Sequence, residues 1–230
     1  MRISKRLEQV AAFVPEGSRL ADIGTDHGYV PIFLISEGKI DTALAMDVRK
    51  GPLARAGEHI REHGFQDQIE TRLSDGLRML QSGEADAVVM AGMGGELIIR
   101  IMEEGRHVWD TVRTWVLSPQ SDLDKVRRFL AAQGFQIAEE AMLKEEGKYY
   151  TVMRVIRGTM KDGREIDYLY GNYLITAQNP VLFEYLNKEI RQAELIVEHL
   201  RRQGTDSAKQ RIHELNREIG RMKEAIDEMQ

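Results

Sequence analysis

Five short apolar runs, Leu20–Ile23, Ala43–Met46, Ile69–Leu73, Ala87–Ala91 and Trp115–Leu117, alternate with windows near 29–37, 50–63, 94–104 and 122–133. Those windows carry helix formers at three- and four-residue spacing. The alternation constrains the fold more than any other feature, because strands separated by helices pair in parallel and have both faces of their sheet covered. Then the pattern breaks. Phe135–Leu143 and Tyr149–Ile156 are β-rich runs joined through Glu145, Glu146, Gly147 and Lys148. That connection is too short for a crossover helix, so the two runs pair as a hairpin. The expected sheet is seven-stranded and mostly parallel, ending in an antiparallel hairpin.

Ahead of the sheet, Ser4 followed by Leu7, Val10, Ala11 and Val14 predicts a capped amphipathic helix, ended by Pro15 and Gly17. Residues 158–180 are polar and turn-rich, with Gly158, Gly163, Gly171 and Asn179-Pro180, and read as a linker or irregular excursion. Beyond Pro180 two apolar stripes follow. Leu182, Leu186, Ile190, Ala193, Val197 and Leu200 form one; Ile212, Leu215, Ile219, Met222, Ile226 and Met229 form a strict a/d seam. With Gln203–Ser207 as a short loop between them, an antiparallel helical hairpin or coiled coil is expected. At 230 residues the chain is long for one domain and short for two. The division expected is 1–160 for the α/β domain and 161–230 for linker and hairpin.

With 42% hydrophobic residues the chain can bury a sizeable core. No apolar run approaches the ~20 residues of a membrane span, and Glu8 and Gln9 interrupt the apolar core a signal peptide needs. There are no cysteines, which excludes disulfides, thiolate metal sites, iron–sulfur clusters and a Cys nucleophile. A cytoplasmic protein without a metal is expected. The net charge of -5 argues against binding nucleic acid through overall charge but leaves room for a local basic face.

In open α/β sheets ligands sit beyond the carboxyl ends of the strands. The first strand runs into Asp22-Ile23-Gly24-Thr25-Asp26-His27-Gly28-Tyr29. Gly24 lets the backbone approach a ligand, and Gly28 keeps the next turn tight. A phosphate cradle avoids carboxylates, whereas Asp22 and Asp26 line this turn and no basic residue does. They suit a cationic ligand such as the sulfonium and amino group of S-adenosylmethionine. Asp47 ends the second strand, where an acid accepts hydrogen bonds from ribose hydroxyls. Asp75, in Ser74-Asp75-Gly76 after the third, is placed to receive an adenine amino proton. Strand ends are rich in Asp as helix caps, but three acids at three successive strand ends describe a nucleoside pocket without a phosphate site. The fourth strand exits into Gly92-Met93-Gly94-Gly95, either a bare backbone where donor and acceptor meet or simply a glycine-rich helix start. Ser118-Pro119-Gln120-Ser121 closes the fifth. That is not the Asn-Pro-Pro-aromatic signature of exocyclic-amine methylation. His27 has no second ligand at metal spacing, so a hydrogen-bonding role is expected of it.

Ile3-Ser4-Lys5-Arg6-Leu7, the stretch Ala21–Tyr29 with Pro31, Ala91–Gly95, Leu143–Tyr150 and the C-terminal hairpin together resemble the bacterial tRNA (adenine-N1)-methyltransferase family that modifies the D-arm adenine at position twenty-two. Gln120 stands where that family commonly has Asn. The resemblance implies a class I methyltransferase, Rossmann-like in fold, that uses S-adenosylmethionine to methylate tRNA. On this reading the donor is held by Asp22, Gly24, Asp26, His27, Asp47, Val48, Asp75, Gly76, Gly92 and Met93. Asp26 offsets charge on the methylated ring and Tyr29 stacks on or orients the base. Arg2, Lys5 and Arg6 on the first helix, with Gly94, Pro119 and Gln120, are the expected tRNA contacts, and Arg127 and Arg128 are weaker ones. The basic cluster Arg201, Arg202, Lys209 and Arg211 at the hairpin tip either touches RNA or is a solvated end. A monomer is expected, with a dimer through the hairpin as the alternative. Other readings stay open: a different RNA, protein or small-molecule acceptor, or a non-catalytic nucleoside- or RNA-binding scaffold. A dehydrogenase is disfavoured by the missing G-x-G-x-x-G and by a sheet that does not end in parallel strands.

Overall fold

The computed structural model describes residues 1–160 and 163–230. The chain divides into two compact units, Met1–Met160 and Lys161–Gln230. In the first, the seven expected strands form one sheet: β1 (Arg19–Ile23), β2 (Thr42–Asp47), β3 (Ile69–Leu73), β4 (Ala87–Ala91), β5 (Thr114–Ser118), β6 (Phe135–Glu145) and β7 (Lys148–Arg157). Their order is β3-β2-β1-β4-β5-β7-β6. β1 to β5 pair in parallel, and β7 runs antiparallel to both β5 and β6. The β6–β7 turn is only Glu146 and Gly147, both with positive φ (49° and 78°), the backbone of a two-residue hairpin whose twist matches its strands.

Side chains alternate across the sheet and split the core in two. Ala21, Ile23, Val88, Met90, Trp115 and Leu117 face helices α4 (Gly95–Glu104) and α5 (Leu123–Ala132). Leu20, Ala87, Val89 and Val116 face α1 (Lys5–Phe13), α2 (Tyr29–Ser36) and α3 (Lys50–Glu62). Both faces are therefore buried, which is why the central strands read as unbroken apolar runs. The order reverses direction between β1 and β4, and the crevice this opens at their carboxyl ends is the natural ligand position of such a sheet. Ser4 caps α1 as expected, its hydroxyl accepting the Leu7 N–H at 3.3 Å.

The second unit corrects one expectation. Residues 163–180 are not an irregular linker: a π-helical turn, Asp167–Gly171, leads into α6 (Asn172–Thr176), while Lys161 and Asp162 lie outside the described residues. Ile166, Leu174 and Ile175 are buried there, and that apolar content outweighs the local turn signals. Asn179-Pro180 proves to be a helix start rather than a break: the Asn179 side chain accepts the Val181 and Leu182 N–H groups at 3.0 Å, with Pro180 in the first turn. α7 (Pro180–Gln203) and α8 (Asp206–Glu228) pack through the predicted stripes, separated by Gly204 and Thr205 alone.

Candidate functional site

A cavity of about 650 Å³ opens at the carboxyl ends of β1 to β4. Its floor is the turn after β1. Gly24 and Thr25 donate their N–H groups to the Met46 carbonyl at 2.8 and 3.0 Å, stitching this turn to β2. Gly24, Asp26 and Gly28 all take left-handed backbone (φ 77°, 45° and 72°). A Cβ on Gly24 would lie 3.0 Å from Cε of Met93, so glycine here keeps the β1 and β4 turns close together. Asp26 holds the same conformation with a side chain, which costs about 1–2 kcal/mol.

Asp22, at the end of β1, is 5% exposed and accepts the Thr25 hydroxyl at 2.7 Å. Burial pushes its pKa up to about 6; the Thr25 hydrogen bond lowers it and the nearby Asp47 carboxylate raises it. A carboxyl so poised becomes a carboxylate readily when a cation enters the cavity. Asp47 is equally buried, and one of its oxygens accepts the Arg49 N–H at 2.7 Å. After β3 the Ser74 hydroxyl donates to the Gly76 carbonyl at 2.7 Å and fixes a turn that carries Asp75 to the cavity. Gly76 has φ 58°, and a Cβ there would come within 3.0 Å of Ile101. Asp75 itself lies 3.5 Å from Arg78 and 3.9 Å from Arg100.

Every residue of the predicted donor set lines this one cavity: Asp22, Gly24, Asp26, His27, Asp47, Val48, Asp75, Gly76, Gly92 and Met93. Tyr29 joins them as the first residue of α2. Its ring, that of His27 and that of His59 from α3 form a triangle of nearly parallel planes with centroids 5.1, 5.4 and 5.7 Å apart. The His59 Nδ1 lies 3.1 Å from the His27 carbonyl oxygen. Asp26 is half-exposed and engaged by Arg55 at 3.2 Å and by His27 at 3.5 Å.

The four glycine-turn positions divide between two duties. Gly92 (φ 85°) lines the cavity. Gly94 and Gly95 instead serve the start of α4: a Cβ on Gly95 would lie 2.5 Å from the Ser121 carbonyl oxygen, and one on Gly94 would lie 3.2 Å from its hydroxyl. Gly94 is half-buried beside the Ser121 hydroxyl, whereas Pro119 is buried and presents no surface to an acceptor. Gln120, next to them, is exposed and lines the cavity. The N-terminal cations also separate. Arg2 precedes α1 rather than sitting on it, Lys5 is exposed outside the lining, and Arg6 turns into the cavity. Arg127 cannot meet a phosphate, because it is 3% exposed and bound to the buried Glu140 at 2.7 Å. At the hairpin tip Lys209 pairs with Asp206, and Arg211 with Glu214 and Glu218.

Thr25 and His59 were not expected at the site. A hydroxyl three residues after a strand-end acid is a signal the sequence carried for Thr25. His59 had none, since only the packing of α3 against the β1 turn brings it there. Among the described residues no group of His, Asp and Glu is arranged to hold a metal, and no helix is long and apolar enough to cross a membrane.

A family model described as a methyltransferase domain matches residues 3–153. The tRNA (adenine(22)-N(1))-methyltransferase of Bacillus subtilis is 32% identical over 99% of this chain and 98% of its own. The crystal structure of the B. subtilis m1A22 tRNA methyltransferase TrmK superposes with a TM-score of 0.85 at 31% identity, covering 98% of this chain and 99% of that one. Streptococcus pneumoniae Sp1610, solved in complex with S-adenosyl-L-methionine, does so at 0.88 and 35% identity, covering 98% and 100%. The similarity spans nearly the whole of both chains, and the chain belongs to the methyltransferase family of which the B. subtilis tRNA (adenine(22)-N(1))-methyltransferase is a member.

Proposed function

We infer that the protein transfers a methyl group from S-adenosylmethionine to N1 of adenine 22 in the D-arm of tRNA. The observation that carries this is the cavity itself: three successive strand-end acids, Asp22, Asp47 and Asp75, converge on it with no phosphate cradle. Such a lining suits a nucleoside with a cationic tail and repels a pyrophosphate. Family membership over nearly the whole chain supports the acceptor.

When bound, the donor supplies an electrophilic methyl group on a sulfonium. We assign Asp22, with Thr25 orienting it, to the cationic tail, Asp47 to the ribose hydroxyls and Asp75 to the adenine amino group, with Val48, Gly76 and Met93 packing around the nucleoside. Adenine N1 attacks with an in-plane lone pair, so no strong base is needed. The ring gains positive charge as the bond forms, and carboxylates nearby stabilise it; Asp26 is our candidate. N1 lies on the pairing edge, so the base must leave its stack to react. Tyr29 and His27, stacked on each other and both lining the cavity, offer an aromatic surface for the everted base. Residues 1–160 then carry the chemistry, and 161–230 help hold the tRNA. A tRNA acceptor fits a cytoplasmic enzyme, and we take it to act as a monomer, with a dimer through the helical hairpin as the alternative.

The test is transfer of labelled methyl from S-adenosylmethionine to unmodified tRNA, followed by nucleoside analysis. Label in 1-methyladenosine is expected, and its loss when adenine 22 is replaced. Donor binding without transfer to tRNA would redirect the acceptor to a protein or small molecule. No donor binding would refute the cavity assignment.

A further inference from the structure

Two sequence stretches outside the predicted donor set, Ile3–Leu7 and Leu143–Tyr150, meet in the structure. Glu145, at the end of β6, accepts the backbone N–H of Lys5 on one carboxylate oxygen at 2.7 Å and that of Arg6 on the other at 3.4 Å. Together with Ser4, it satisfies three of the N–H groups that the first turn of α1 leaves unpaired. Its negative charge also complements the helix dipole. The β6–β7 hairpin thus fixes where α1 begins, and with it the aim of the Arg6 side chain. The Arg6 guanidinium lies 5.5 Å from the centre of the Tyr150 ring and reaches the cavity at the turn after β4. It lies against Gly92 and Gln120: a Cβ on Gly92 would stand in ordinary contact with it, 3.4 and 3.8 Å from its two terminal nitrogens and 3.8 Å from the Gln120 amide nitrogen.

Nη1 of Arg6 is buried without a hydrogen-bond partner. Two other arginines line the cavity, and each has an acid beside it: Arg49 lies 3.8 Å from Asp47 and Arg100 lies 3.9 Å from Asp75. Among the described residues the Arg6 guanidinium has no carboxylate. A planar group that only donates, permanently charged and held in place with an unfilled donor, matches a phosphate oxygen. The cavity is otherwise acidic, so this anion site is spatially confined to the Gly92–Gln120 edge.

We propose that Arg6 is the acceptor-side anchor of the enzyme, its guanidinium binding the RNA phosphodiester adjoining the everted adenosine. Glu145 and Tyr150 act through it as positioning residues. The role rests on the tRNA methyltransferase reading above. Phosphate contacts set register without reading sequence, and one made inside the cavity holds the everted nucleotide where N1 can react.

The test uses the full-length protein with Arg6→Ala, Arg6→Lys, Glu145→Ala and the Arg6→Ala/Glu145→Ala double variant. Steady-state methylation of unmodified tRNA is measured over a range of salt, and donor affinity is measured separately by calorimetry, which also reports that each variant is folded. Arg6→Ala is expected to raise KM for tRNA on the order of tenfold or more. It should leave the donor Kd within about twofold and make the salt dependence of kcat/KM shallower by about one counterion. Arg6→Lys restores the salt slope but only part of KM. Glu145→Ala raises KM for tRNA less, and adds nothing in the Arg6→Ala background. Donor affinity that falls as far as methylation in Arg6→Ala would overturn the proposal, as would an unchanged KM and salt slope. A wild-type enzyme that methylates no tRNA would instead refute the functional reading.

Discussion

Asp22→Asn separates what a buried carboxyl costs the fold from what it does for the donor. Asp22 is 5% exposed, and burial moves its pKa from an ordinary 3.8 to about 6. A raised carboxyl pKa means that the folded protein keeps its proton at pH values where the unfolded chain has released it. The destabilisation is therefore absent below pH 3.8, grows through the window from 3.8 to about 6, and is complete above it. Its full size at pH 7 is about 3 kcal/mol, falling to about half that at pH 5. Asparagine carries no charge, and its carbonyl can still accept the Thr25 hydroxyl. Asp22→Asn should thus stabilise the ligand-free enzyme by up to about 3 kcal/mol at pH 7, raising Tm by about 2–4 °C per kcal/mol. The same change removes the charge that faces the donor's cationic tail, so donor affinity should fall by on the order of tenfold or more. Wild-type donor binding should also weaken as pH drops through 6, and that of the variant should not. Urea unfolding between pH 4 and 8, paired with donor titrations at each pH, measures both arms. A variant less stable than wild type at pH 7, or a gain that does not shrink on acidification, would refute the reasoning.

Three further outcomes follow from the packing. Arg127→Ala strands the buried Glu140, whose other oxygen is already without a partner, and should cost about 3–5 kcal/mol of stability by urea unfolding; Arg127→Met with Glu140→Leu should recover much of that loss. Gly95→Ala drives a methyl group to 2.5 Å from the Ser121 carbonyl, so α4 must shift, and a loss of several kcal/mol is expected by thermal melting, whereas Gly83→Ala, with open space at its Cβ position but φ 85°, should lose only about 1–2 kcal/mol. Tyr29→Ala removes one ring of the triangle with His27 and His59 and should lower kcat/KM for tRNA by about 1–3 kcal/mol with donor Kd unchanged; equal loss of both would place Tyr29 on the donor instead.

Chain order and local pattern determined most of this architecture, for a physical reason. A run such as Val88–Met90 between two helical windows has one way to bury both faces, and Glu146-Gly147 between β-rich runs accepts the positive φ values of a tight turn. Strand-end residues then follow from the strands, so Asp22, Asp47 and Asp75 were legible in the sequence as one pocket. Where local signals conflicted with burial, they misled: the glycines and Asn179-Pro180 of residues 163–180 suggested a linker, but Ile166, Leu174 and Ile175 had core to fill. The aim of individual side chains was decided only by tertiary structure. Periodicity could place Arg6 on a helix, but not show that Glu145, 139 residues on, would pin that helix. Nor could it show that the guanidinium would lie against Gly92, that Pro119 would be buried beside an exposed Gln120, or that α3 would bring His59 onto His27 and Tyr29. Backbone periodicity is a property of neighbours along the chain, whereas the environment of a side chain is set by whatever distant segment packs against it.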